Sequence, residues 1–158
     1  MAYLFSRDQG GVDAWGLTKT FAPSDTPDYT WLGTAVATDG TRTVIGSAWE
    51  DGAGTNRGAV HVLGRDQDGA GSWGEIKKLT ASDARDDDLF GYSLALEGDY
   101  IVVGAGWNKG GGTERGQAYL FGRDDELAWH KLPVKAYVAT WDVNVYNGNA
   151  RRAGRPPY

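Results

Sequence analysis

The sequence predicts an all-β protein built from four-stranded antiparallel blades of a β-propeller, about two and a half of them, and three observations lead there. Residues 2–58 and 60–116 are one unit written twice without a gap, with 21 of 57 aligned pairs identical. Glycine occurs 24 times in 158 residues, which points to short elements joined by many turns. Each unit holds four β-prone stretches, and so small a sheet cannot hide both faces until neighbours pack on it. A third copy opens at Ala118-Tyr119-Leu120-Phe121 and fades after Leu132.

Taken in order, the first strand of the unit spans Trp31 to Thr38 and, one unit later, Leu89 to Leu96. Asp39-Gly40 then marks a two-residue type I′ hairpin, since glycine supplies positive φ without steric cost, and Glu97-Gly98-Asp99 repeats it. The second strand, Thr43 to Ser47 and Ile101 to Ala105, is β-branched throughout its centre and is expected to be covered on both faces. After a Gly-rich loop the third strand runs from Ala59 to Leu63, from Gln117 to Phe121 and, earlier, from Ala2 to Phe5. The fourth covers Glu75 to Leu79 and Leu17 to Phe21, with a degraded copy at Trp129 to Leu132; Lys19, Lys77 and Lys78 suit a guarded outer edge.

This order divides the chain into a half blade (1–30), two complete blades (31–88 and 89–132) and a divergent strand-like stretch with a basic, turn-rich tail (133–158). Closed propellers use four to eight blades. The count therefore leaves a fragment of a longer propeller, closure by oligomerisation, or completion of the half blade by the alternating stretch Tyr137 to Tyr146. A fragment or an open, curved stack is the expectation preferred here.

Composition removes several function classes. With 16 basic and 21 acidic side chains the net charge is −5, so there is no electrostatic footprint for nucleic acid or an anionic membrane surface. No apolar run is long enough to insert into a membrane, and no signal peptide stands in this chain. The absence of cysteine excludes disulfides and thiol chemistry.

Phe90-Gly91, the strand end Gly104-Ala105-Gly106 and the run from Trp73 through Asp83 to Phe90-Gly91-Tyr92-Ser93 resemble the FG-GAP repeat of integrin α chains and bacterial surface proteins. The resemblance covers roughly residues 2–132 and departs at Leu32-Gly33, Gly46-Ser47-Ala48 and Gly106. It implies a β-propeller, a non-enzymatic role in adhesion or protein binding, and an extracellular or cell-surface location. Integrin-type repeats hold calcium in an Asp-rich loop between the first two strands, but Asp39-Gly40-Thr41 and Glu97-Gly98-Asp99 are too short to ring an ion.

Two constellations remain. Asp83, Asp86, Asp87 and Asp88 crowd one loop, a candidate calcium site whose other reading is a solvated turn with capping carboxylates. Because strand direction alternates, the loops joining second to third strands and those joining each blade to the next emerge on one face. That face carries Trp49, Asn56, Arg57, Trp107, Asn108 and Arg115, a candidate set for binding a protein or a glycan, against the alternative that Trp49 and Trp107 pack between blades. Trp15, Trp73 and Trp129, on the opposite face, are expected to be structural. His61 aligns with Tyr3 and Tyr119 and reads as a replacement for a packing aromatic; no catalytic motif accompanies it or His130. The expected function is a non-enzymatic interaction or adhesion scaffold; the rivals are a carbohydrate-binding module using the loop tryptophans and an accessory propeller part of a larger secreted hydrolase.

Overall fold

The structure, a computed structural model, describes residues 1–23, 30–67, 69–108, 116–123 and 128–132. Asp25, Asp28, Arg115, the stretch Tyr137 to Tyr146 and the basic tail lie outside the described residues. Every regular element among the described residues is a strand: β1 (Ala2–Ser6), β2 (Gly16–Phe21), β3 (Leu32–Thr38), β4 (Arg42–Ser47), β5 (Ala59–Arg65), β6 (Trp73–Leu79), β7 (Phe90–Glu97), β8 (Tyr100–Ala105), β9 (Gln117–Arg123) and β10 (Trp129–Lys131). They form a two-stranded hairpin β1-β2, a middle sheet β3-β4-β5-β6 and a distal sheet β7-β8-β9-β10, each antiparallel and ordered by sequence.

The repeat extends to irregularities. A bulge at Leu4/Phe5 recurs one unit later at Val62/Leu63, where the ladder slips by one residue in the same place. The hairpins differ slightly from expectation. Asp39 and Arg42 share the closing hydrogen bond, so the loop residues are Gly40 and Thr41, and only Gly40 has positive φ, at +87°. Glu97 and Tyr100 likewise flank Gly98-Asp99. Glycine in first place matches the type II′ turn rather than I′.

Alternation along the central strands distributes the core. Val44, Val60 and Val62 point to one side of the middle sheet and meet Phe90, Ile101, Val103 and Phe121 of the distal sheet. Ile45, Leu63 and Trp73 point to the other side and meet Phe21, Ala2 and Leu4 of the hairpin. The middle sheet is thus covered twice, and β4 is buried along its length, as its β-branched run anticipates. Its counterpart β8 is covered once: Ile101, Val103 and Ala105 are buried while Tyr100 and Val102 are exposed. The expectation for the second strand fails there because no described sheet lies beyond the distal one.

Close approach between the middle and distal sheets explains the glycines. A Cβ on Gly46 would stand 2.1 Å from the Gly91 carbonyl oxygen, and one on Gly58 would stand 2.0 Å from that of Phe90. Phe90, fully buried, meets Tyr119 and Phe121 edge-on at ring separations of 5.3 and 5.9 Å.

Trp73 and Trp129 are buried. Trp15, expected to pack, is instead exposed. Each tryptophan of this set packs against the sheet preceding its own, and no described sheet precedes the hairpin.

Candidate functional site: the loop face between sheets

The loop leaving β4 and the loop entering β7 come from neighbouring sheets and are stitched together. Within the first, Asp51 accepts from the Asn56 backbone N–H at 3.0 Å, and Gly58 N–H donates to the Glu50 carbonyl at 2.8 Å. Between the two loops, Asp86 accepts from Thr55 N–H (3.1 Å) and Arg57 Nε (2.9 Å), and the Asn56 amide donates to Asp87 (2.8 Å). Backbone bonds continue the seam: Asp87 to Thr55, Leu89 to Asn56, Phe90 to Arg57. Asn56, Asp87 and Leu89 hold positive φ along it, costly for a leucine and tolerable only where the surroundings impose it.

This geometry redistributes the candidate residues. Asn56 and Arg57 hold the seam. Trp49, half-buried, stacks at 4.8 Å on Trp31 of its own sheet and lies 6.0 Å from Tyr92 of the distal sheet, while Trp31 and Tyr92 keep large exposed faces. The result is a three-ring patch spanning two sheets at the loop face. Trp107 occupies the repeat position of Trp49 and is 56 % exposed. Asn108 is buried, and its amide donates to Asp88 at 2.7 Å. Arg115 lies outside the described residues.

The four aspartates share a loop but answer to different partners. Asp83 pairs with Lys131 at 3.1 Å, Asp86 with Arg57, Asp87 with Asn56, and the buried Asp88 with Asn108 and the Arg85 amide. Burial would raise the Asp83 carboxyl, but the Lys131 hydrogen bond and charge outweigh it and hold it low. Arg57 holds Asp86 low by the same means. Burial, then the Asp83 and Asp88 charges, push the Tyr119 hydroxyl up. Among the described residues no three acidic or histidine side chains gather as a metal site.

A second polar centre lies beneath the loop. His61 is completely buried on β5, its Nδ1 2.8 Å from Glu75 and its Nε2 3.1 Å from the buried Glu50. Glu50 also pairs with Lys78. Burial alone would lower the imidazole pKa; two flanking carboxylates reverse this and raise it, and His61 and Lys78 together hold Glu50 low. The packing expectation for His61 is met, since Phe21 stands edge-on at 5.6 Å, but the ion network was missed. The signal was in the repeat: Glu50 and His61 replace Asn108 and Tyr119 together, a paired exchange of two neutral partners for two ionisable ones.

Short antiparallel four-stranded sheets, repeated in sequence and stacked through glycine-backed seams, define a repeat protein of blade-like sheets. The FG-GAP repeat profile matches residues 15–63 and 73–121, and the chain belongs to the FG-GAP repeat family. No curated protein matches the chain. Among the described residues, no helix is long and apolar enough to cross a membrane.

Proposed function

We propose that this chain is a non-enzymatic segment of an FG-GAP β-propeller, about two and a half blades, displayed outside the cell as an interaction or adhesion scaffold. The half blade, the two blades and the tail divide at residues 30, 88 and 132. The carrying observation is the Trp31-Trp49-Tyr92 patch, in which Trp49 stands on the loop leaving β4, Trp31 just before β3 and Tyr92 on β7, the strand whose entering loop hydrogen-bonds to that of Trp49. A rigid, exposed aromatic surface, with Asn56 and Arg57 on the same loop as Trp49, has the composition of a binding hot spot and loses little side-chain entropy on association. The exposed rings of Trp31 and Trp107 also support the second reading, a carbohydrate-binding surface.

A panel of extracellular-matrix proteins and a glycan array, probed with the parent chain, Trp31→Ala and Trp107→Ala, separates the two readings. Protein binding weakened at least tenfold by Trp31→Ala with unchanged melting supports the scaffold. Retention of glycans alone, lost in Trp107→Ala, supports the sugar reading. No retention on either panel ends both.

A further inference from the structure

At the junction of the middle and distal sheets Trp49 stands between two other rings, with its plane tilted by 35° to Trp31 and by 56° to Tyr92. The tilts make a ridged surface instead of a flat plate. Ring centroids 4.8 and 6.0 Å apart in succession give it the length of about one turn of polyproline II helix, three residues or roughly 9 Å. Among the described residues no hydrogen bond engages the indole N–H of Trp31 or Trp49 or the hydroxyl of Tyr92. Trp31 and Tyr92 are exposed, and the Trp49 N–H is not sealed from solvent. A ligand suited to these donors offers a row of carbonyls that nothing else has taken. Helices and sheet strands use theirs in their own ladders, whereas a polyproline II backbone has no internal hydrogen bonds and leaves its carbonyls open along its length. Its pyrrolidine rings pack on aromatic faces, and because the helix is preformed little entropy is lost on docking.

Charge selects among such segments. The loops 48–58 and 80–89 together carry six carboxylates and two arginines. Arg57 and Lys131 neutralise Asp86 and Asp83, and Lys78 and His61 answer Glu50. The exposed carboxylates of Asp51 and Asp87 accept only from neutral groups, the backbone N–H and the side-chain amide of Asn56. Negative charge is thus left over two residues after Trp49 and five before Tyr92, and its complement is a cationic ligand. We propose that the Trp31-Trp49-Tyr92 patch takes a proline-rich, basic segment of a partner protein, held in the polyproline II conformation with its carbonyls toward the indole and phenol donors and its cations toward Asp51 and Asp87. This rests on the scaffold reading and names the chemistry of the partner.

Fluorescence anisotropy on the full chain tests this with three labelled peptides, (Pro-Pro-Arg)3, (Pro-Pro-Glu)3 and (Gly-Ser-Arg)3. The first is expected to bind saturably and the other two at least tenfold more weakly. Trp31→Ala should weaken binding of the first at least tenfold, and Tyr92→Phe, which keeps the ring and removes the hydroxyl, at least threefold, both with melting unchanged. Trp15→Ala, at an exposed tryptophan outside the patch, should bind as the parent does. Equal binding of either control peptide overturns the proposal, as does binding that neither Trp31→Ala nor Tyr92→Phe weakens. So does the lack of saturable binding by (Pro-Pro-Arg)3 up to about 1 mM. In that event matrix proteins retained through Trp31 on the panel above leave the scaffold reading standing, and an empty panel removes both.

Discussion

Replacing Gly46 by alanine tests whether the repeat glycines exist to let sheets approach. The added methyl would sit 2.1 Å from the Gly91 carbonyl oxygen, about 1.4 Å inside the roughly 3.5 Å at which such atoms rest. The oxygen has little freedom to retreat. Gly91 holds φ at +93°, and its own Cβ position is 2.5 Å from the Ala59 carbonyl, so the two sheets are interlocked by backbone. Overpacking of this kind costs about 1–3 kcal/mol. Alanine returns about 0.5–1 kcal/mol because glycine loses more freedom on folding. A net loss of about 1 kcal/mol follows, and at about 2–4 °C per kcal/mol for a chain of this length the melting temperature should fall by roughly 2–4 °C. Gly104 is the control: it holds the same repeat position, but its added Cβ would meet the Ser93 hydroxyl, a side chain that can turn away. Gly104→Ala should stay within about 0.5 kcal/mol of the parent. Thermal melts followed by circular dichroism suffice. A Gly46→Ala protein at least as stable as the parent, or equal losses in both variants, would refute the interlock.

Phe90→Ala removes a fully buried ring and should cost about 3–5 kcal/mol in urea unfolding; a loss below about 1 kcal/mol would mean the sheets do not depend on it. The ion network makes stability depend on pH from both sides. The His61 pKa is raised on folding, so its contribution is complete below the ordinary value of 6.5 and fades as pH rises through the folded value. Glu50 is held low, so its contribution is present above 4.5 and fades as pH falls through its folded value. Melting temperature should therefore decline on the alkaline side, and His61→Gln should flatten that decline; an unchanged slope would remove His61 as its cause. Millimolar calcium should leave the melting temperature unchanged, because the four loop aspartates are engaged separately; a rise that Asp86→Asn abolishes would show that the loop rearranges around the ion.

Strand placement was legible because periodicity and glycine punctuation act locally. All ten strands among the described residues fall within two residues of their expected ends, and the common face of the two loop types follows from alternation alone. Burial was less legible, since it depends on which neighbour is present. Trp15, Trp73 and Trp129 look equivalent in sequence, yet among the described residues only the latter two have a preceding sheet to pack against. The same holds for β4 and β8, alike in composition and different in cover. Asn56 and Arg57 read as ligand groups because they are polar and loop-borne; what sequence could not convey is that Asp86 and Asp87, about 30 residues away, reach back to them.

The stack has a direction. The distal sheet brings Trp129 and its Phe90-Gly91 corner to the middle sheet, which meets it with a surface floored by Gly46 and Gly58, so this junction joins unlike faces. A chain assembled this way lengthens by copying a unit, with no new contact to invent. Its resistance to unfolding resides more in the joints than in the parts, and damage to one joint should loosen the two units that share it before those farther along the stack.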